Sequence, residues 1–317
     1  VRVSVIIANR NDAVMLNVTV RSAIEALKAI RGQSEIVICD NSDQQIFDIL
    51  NMVIPGQYLQ EQKVRIIRQD YPCFSSARMT AAREAKGKYI FCVDSHVLFG
   101  HNVIGRAVAA MDDASDKIGF IHPPANWSHQ GENYGRHDID MDLTPWGMWN
   151  RRYTKPTKIS WGFQPWICRR DWYLNILNGY GAIAYNHLAW GGAEMHQEVK
   201  AILLGYENWA IPSSPVIHIG PFNKRIVELT PYKYRVYCKS GEYPAGLGIL
   251  VAFYVWGGDD MKKEAYKIAD RLKNRHGLCI DEWWDTARTL GESERQWLSQ
   301  KQVMTYWEMM ENKPWLS

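Results

Sequence analysis

Residues Tyr89–Gly100 read YIFCVDSHVLFG: an apolar run, then Asp94, Ser95 and His96, then a second apolar run. The first run predicts a buried strand that ends in ligand-type side chains. On an extended segment, Asp94 and His96 occupy alternate positions and point the same way. A carboxylate and an imidazole so placed can grip a divalent ion. Mn²⁺ takes both ligand types, whereas Mg²⁺ prefers oxygen and water. The plain alternative is a capped loop in which Asp94 accepts backbone hydrogen bonds.

The same pattern extends outward. Residues 3–8 are β-branched and apolar and end in NRND, and residues 14–30 carry apolar residues at helical spacing. Residues 34–39, 64–68 and 118–122 read as strands, and residues 75–85 and 103–113 as helices. Strands alternating with helices predict an α/β fold whose mostly parallel sheet is covered on both faces. Ligands of such sheets bind beyond the carboxyl ends of the strands. Asn9 to Asp12, Asp40 and Asp94 to His96 all fall there.

Residues 126–157 are polar, aromatic and irregular, and a stretch of that length is a candidate lid. Residues 160–168 read as extended, 170–177 and 195–204 as helical, and 209–219 as an edge strand with two prolines. Beyond Pro221, residues 232–237, 247–255, 260–274 and 292–310 predict a helical region. The expected division is therefore residues 1–220 and residues 221–317.

Composition sets wider bounds. A 317-residue chain that is 46% hydrophobic and 22% charged is ordinary for a globular protein with a full core. With 37 basic and 34 acidic residues, net charge is +3, too balanced to imply a nucleic-acid or membrane partner. The 14 Trp and 16 Tyr suit stacking on sugars or bases, or simple packing. The six cysteines never form CxxC, so zinc-finger chemistry is not expected and a reducing, cytoplasmic compartment is. No charged leader and no run of about 18 apolar residues is found, so neither signal peptide nor transmembrane segment is expected.

Four segments occur in a telling order: SVIIANRND with IVICDNSD, the helix SSARMTAAREAKGKYIFCVDSH, WGGAE at 190–194, and IPSSPVIHIG at 211–220. In that order and spacing the chain resembles the catalytic domain of polypeptide N-acetylgalactosaminyltransferases. More broadly it resembles the GT-A class of nucleotide-sugar glycosyltransferases. The resemblance covers about residues 3–220. No lectin-like module with paired cysteines follows, so a mucin-like acceptor is not implied.

The resemblance implies a Rossmann-like GT-A fold with a helical C-terminal extension, a UDP-sugar donor and Mn²⁺, with Mg²⁺ as second choice. It makes Asp94, His96 and His218 the metal ligands, and Ala8, Asn9, Arg10, Asp40, Arg78 and Ser95 the donor-binding set. Asp40 would meet the nucleoside; Arg78 has a structural salt bridge as its equal alternative. Trp161, Gln164, Trp166, Trp190, Gly191 and Gly192 would line the sugar and acceptor pocket, an aromatic face against the pyranose and Gln164 on a hydroxyl.

The family has an acid directly after WGG; here that position is Ala193, and the acid is Glu194. Glu194 is the catalytic candidate, with three readings: general base, acceptor of a sugar hydroxyl, or first-turn helix acid. His196 and Glu198 stand behind it. The expected reaction moves a hexose or N-acetylhexosamine, with retention favoured over inversion. The acceptor class stays open among glycan, protein and nucleic acid, including a hydroxylated base in DNA. The basic residues between Lys224 and Arg275 are the feature that admits DNA, and give the C-terminal region a candidate role in acceptor binding. The rival functions are a nucleotidyltransferase, which would need a Gly-rich triphosphate loop that NRND lacks, and a non-catalytic nucleotide-sugar- or carbohydrate-binding protein.

Overall fold

The computed structural model describes residues 1–54, 56–61, 63–127, 153–162, 164–188, 192–219, 243–244 and 246–315. The first half alternates as expected: β1 (Val3–Asn9), α1 (Ala13–Leu27), β2 (Ser34–Asp40), α2 (Gln44–Val53), α3 (Gly56–Gln60), β3 (Val64–Arg68), α4 (Phe74–Glu84) and β4 (Tyr89–Val93). There follow β5 (Val97–Phe99), α5 (Val103–Asp113), β6 (Ile118–His122), β7 (Ala125–Trp127), β8 (Thr157–Ile159) and β9 (Trp166–Arg169). Then come α6 (Gly181–Tyr185), α7 (Ala193–Leu203), β10 (Glu207–Ala210) and β11 (Val216–His218). The C-terminal helices are α8 (Leu247–Gly257), α9 (Met261–Tyr266), α10 (Ala269–His276), α11 (Ile280–Lys301) and α12 (Tyr306–Asn312).

Eight strands form the central sheet in the order β3-β2-β1-β4-β9-β6-β10-β8. The run β3-β2-β1-β4 is parallel; β9 lies antiparallel between β4 and β6, and β8 antiparallel on β10. Alternation along β1 explains the two cores. Val3, Val5 and Ile7 face one cluster, shared with Leu16 and Val20 of α1 and Ile104 and Val108 of α5. Ile6 faces the other, shared with Ala77 and Ala81 of α4, Val199 of α7 and Val251 of α8. A three-stranded sheet, β5-β11-β7, stands beside the large one.

The helices after residue 246 complete the second core. In α8, Leu247, Leu250, Val251, Phe253, Val255 and Trp256 are all fully buried. A helix apolar all round must be enclosed, and α8 packs against both α7 and α11. At Gly291 of α11 an added Cβ would meet Tyr254 and Val255 of α8 at 3.1 and 3.2 Å, so glycine permits the close crossing.

Several expectations need correction. Residues 209–219 are not one edge strand. The chain breaks around Pro212 and Pro215, which lack N–H donors, into β10 inside the large sheet and β11 inside the small one. The helix read at 170–177 is present over residues 170–176, but it widens over Trp172–Ile176, where Leu177 N–H donates to the Trp172 carbonyl. The helix read at 292–310 starts earlier, at Ile280, and stops at Lys301; Thr305 and Glu308 then build a capping box that opens α12. The segment read at 260–274 is two helices, α9 and α10. Of the candidate lid, residues 128–152 lie outside the described residues, while Asn126 and Trp127 belong to β7 and Thr157 opens β8; the helix expected at 232–237 also lies outside the described residues.

Candidate metal and donor site

Asp94 follows β4, and His96 immediately precedes β5. The small sheet brings the distant histidine to them: β11 runs antiparallel to β5, with His218 opposite Val97, and Ile219 N–H donates to the His96 carbonyl at 2.9 Å. One ligand atom each from Asp94, His96 and His218 all lie within 4.8 Å of one another. His218 Nε2 is 3.2 Å from Asp94 Oδ2, and the two imidazoles meet edge to face at 4.6 Å.

The loop itself is clamped from α1. The Thr19 hydroxyl, fully buried, accepts from Val97 N–H at 2.8 Å and lies 2.8 and 2.9 Å from the Ser95 and Val97 carbonyls. Asp12 Oδ2 sits 3.2 Å from His96 Nδ1. A carboxylate behind an imidazole fixes its tautomer and leaves Nε2 for a metal. Burial pushes the His96 imidazole down, but the Asp12 and Asp94 carboxylates outweigh it and raise its pKa. Burial likewise pushes Asp94 up, yet His218 and Arg78 hold its carboxyl well below the usual range. One carboxylate and two imidazoles suit Mn²⁺ better than Mg²⁺.

Arg78 of α4 joins this cluster to Glu194. One guanidinium nitrogen donates to Asp94 Oδ1 at 2.7 Å, and the other to Glu194 Oε1 at 2.8 Å and to the Tyr180 hydroxyl at 3.2 Å. The group lies 4.7 Å over the Phe74 ring, and its side chain is 5% exposed. Glu194 stands in the first turn of α7, after Gly192 at φ +74°. A Cβ at Gly192 would lie 3.0 Å from Ile249 Cα, so both the left-handed backbone and the approach of α8 call for glycine.

The sequence profile of Glycosyl transferase family 2 matches residues 4–169. The chain belongs to that family. The matched segment contains Asp94, His96 and Arg78 of this glycosyltransferase, while Glu194 and His218 lie beyond it. Among solved structures, one titled as GalNAc-T7 with UDP, GalNAc and Mn²⁺ superposes over 99% of this chain and 58% of its own, with TM-score 0.63 and 19% identity. S. aureus TarS superposes over 95% of this chain and 55% of its own, with TM-score 0.51 and 11% identity. At those identities the likeness shows the GT-A fold, and this chain spans little more than half of either neighbour. No curated protein sequence matches it. No helix among the described residues is long and apolar enough to cross a membrane.

The remaining predicted residues of the glycosyltransferase divide by burial. Ala8 and Arg10 are partly exposed at the end of β1, and Ser95 is buried with its hydroxyl 3.3 Å from His96 Nδ1. Asp40 is fully buried. Its carboxylate already accepts from Asn9 Nδ2 at 2.6 Å, the Ser42 hydroxyl at 2.7 Å and Arg68 at 3.0 Å. Asp40 therefore organises the ends of β1, β2 and β3, with Asn9 between it and the site.

The aromatic residues need a correction. Trp166, fully buried, packs at 5.3 Å from Phe120 and 5.2 Å from Tyr173, and so belongs to the core rather than a pocket; Trp161, 3% exposed, joins the same core. Gln164 stays at the loop, and Trp190 and Gly191 lie outside the described residues. Thr19 and Tyr180 escaped the sequence reading, which places Asp12 among the strand-end residues without a role of its own. Asp12 had a visible signal, since NRND ends a strand beside the others.

Proposed function

We propose that this chain transfers a hexose or N-acetylhexosamine from a UDP-sugar to an acceptor hydroxyl with the help of Mn²⁺. The observation that carries the reading is the Asp94–His96–His218 cluster, joined through Arg78 to Glu194. The neighbour solved with UDP, GalNAc and Mn²⁺ supports the donor and metal. Asp94, His96 and His218 would hold the ion, and when bound it offsets the charge that gathers on the diphosphate as the glycosidic bond breaks. Asp12 orients His96; Asn9, braced by Asp40, and Ala8, Arg10 and Ser95 border the nucleotide. Residues 221–317 keep acceptor binding as their proposed role.

Glu194 is the proposed catalytic carboxylate, held by Arg78 in one orientation. In the reaction the bond from the sugar's anomeric carbon to the diphosphate breaks, and a bond to the acceptor oxygen forms as its proton departs. As general base, Glu194 takes that proton, which is what an inverting reaction needs. Retention, the outcome the resemblance implies, would have it hold a sugar hydroxyl instead. The anomeric configuration of the product decides between the two.

Calorimetric titration with UDP, with and without Mn²⁺, tests the site. Metal-dependent UDP affinity is expected in the wild type and lost in Asp94→Ala and His218→Ala. Unchanged metal-dependent affinity in both variants overturns the site. Thermal shifts with UDP-, GDP-, dTDP- and CDP-sugars then test the donor, because bound ligand stabilises the folded state. A selective rise with a GDP- or CDP-sugar overturns UDP.

A further inference from the structure

One buried cluster near the site has no part in the proposed chemistry. Glu198 lies one helical turn beyond Glu194 on α7, on the same face of the helix, and is fully buried. Its Oε2 accepts from the Gly162 N–H and stands 3.2 Å from Nε2 of His122, the buried last residue of β6. Gly162 rests on the imidazole itself: a Cβ there would lie 2.6 Å from His122 Nδ1 and 2.7 Å from its Cγ. Backbone, imidazole and carboxylate therefore form one tight junction between the loop ahead of β9, the end of β6 and helix α7.

What the junction holds is the approach to Gln164. Trp166 pairs with Cys92, so this loop meets the sheet at the edge where Asp94 follows, two residues after Cys92. Both polar atoms of the Gln164 amide are buried, and neither has a hydrogen-bond partner among the described residues. A buried primary amide without partners is costly unless a ligand supplies them. A primary amide offers one acceptor and two donors, which suits ring hydroxyls or an acetamido group.

We propose that Glu198 and His122 are positioning residues for sugar selection: they fix the backbone at Gly162 and so aim the Gln164 amide at the polar groups of the transferred sugar. This rests on the nucleotide-sugar reading above and deepens it. Of the three elements that the junction joins, the loop is the one that leads to Gln164. The junction should therefore govern the part of the donor that distinguishes one UDP-sugar from another, and leave UDP itself untouched.

The test compares calorimetric affinities for UDP and for a panel of UDP-hexoses and UDP-N-acetylhexosamines, all with Mn²⁺. The variants are Glu198→Ala, Glu198→Gln, Gly162→Ala and Gln164→Ala. In Glu198→Ala, Gly162→Ala and Gln164→Ala the preferred UDP-sugar should lose about tenfold or more in affinity relative to UDP, as expected for lost positioning contacts. The ranking within the panel should flatten, while UDP affinity holds. Glu198→Gln should recover most of the preference, because its amide oxygen still accepts the Gly162 N–H. Gly162→Ala leaves Glu198 intact, so it keeps the test decisive should Glu198→Ala fail to fold. Unchanged sugar ranking in Gly162→Ala and Gln164→Ala overturns the proposal, as does a parallel loss of UDP affinity, which would mark a general structural role. A wild type that binds neither UDP nor any UDP-sugar in the presence of Mn²⁺ overturns the function reading itself and this inference with it.

Discussion

Replacing Arg78 by methionine tests the link between Glu194 and the Asp94–His96–His218 cluster. Methionine keeps much of the length and can still lie against Phe74 and Tyr180, but the charge and both ionic hydrogen bonds go. Removing one partner of a fully buried pair costs about 3–5 kcal/mol. Here Asp94 and Glu194 keep 30% and 16% of their side-chain exposure, so water repays part of that. A loss of about 2–3 kcal/mol is expected against a total stability of about 5–15 kcal/mol. At about 2–4 °C per kcal/mol for a chain of this class, the melting temperature falls by about 4–12 °C. Mn²⁺ should return part of the loss, since it supplies a counter-charge to Asp94 but none to Glu194. The metal-induced rise in melting temperature should therefore be larger in the variant than in the wild type. Arg78→Lys keeps the charge but cannot span both carboxylates with a planar fork, so it should fall between the two. Thermal unfolding with and without Mn²⁺ reads all of this. An Arg78→Met protein that melts with the wild type, or gains no more from Mn²⁺, would refute the reasoning.

Glu194→Gln should lower turnover by about 10²-fold or more at unchanged donor affinity; near-wild-type UDP release on the best acceptor removes Glu194 from the catalytic role. Asp12→Asn takes away the carboxylate behind His96 and should weaken Mn²⁺ binding about 10–100-fold, measured by titration calorimetry; equal affinity would mean that Asp12 does not orient the ligand. Glu294 of α11 gives a pH prediction: burial pushes its carboxyl up, but Lys200 and His196 prevail and hold it at about 2, against an ordinary value of 4.5. A depressed carboxyl contributes stability above its unfolded value, so up to about 3 kcal/mol should be lost as pH falls from about 5 to 2. Urea midpoints across that range should flatten in Glu294→Gln, and an unchanged acid limb would refute the assignment.

The alternation of strands and helices was legible because β1, β2 and β4 are buried on both faces and so read as unbroken apolar runs. What periodicity could not show was where a strand changes sheet. Residues 209–219 read as one strand, and the PSSP stretch at 212–215 marks the place where β10 leaves the large sheet and β11 joins the small one. That break is what delivers His218 to Asp94. The sequence offered His218 only through resemblance, since 122 positions separate it from His96 and their meeting depends on the β5–β11 ladder.

The position of Asp12 was legible at the end of β1, but its role was not. An aspartate directly before a helix is expected to cap it by accepting from the first turn. Asp12 is the residue before α1 but makes no side-chain cap, and its Oδ2 faces His96 instead. The loop tryptophans allow two readings, a sugar pocket or core packing, and Trp166 packs edge-on to Phe120 and tilted against Tyr173 in the core.

The C-terminal helices bear on the site from behind. Lys200 and His196 of α7 are fully buried and both meet the Glu294 carboxylate, which also accepts from the Ala182 N–H. Two charges this deep gain little net stability, because desolvation offsets most of their attraction. An apolar trio of similar volume would hold α7 against α11 about as firmly. It would not fix rotation, since apolar side chains tolerate small slides that a hydrogen-bonded carboxylate does not. Glu194 sits six residues before Lys200 on the same rigid helix. Turning α7 by a few tens of degrees would carry its carboxylate away from Arg78. The polar pin at Glu294 therefore fixes the rotation of α7, and with it the direction in which Glu194 faces Arg78.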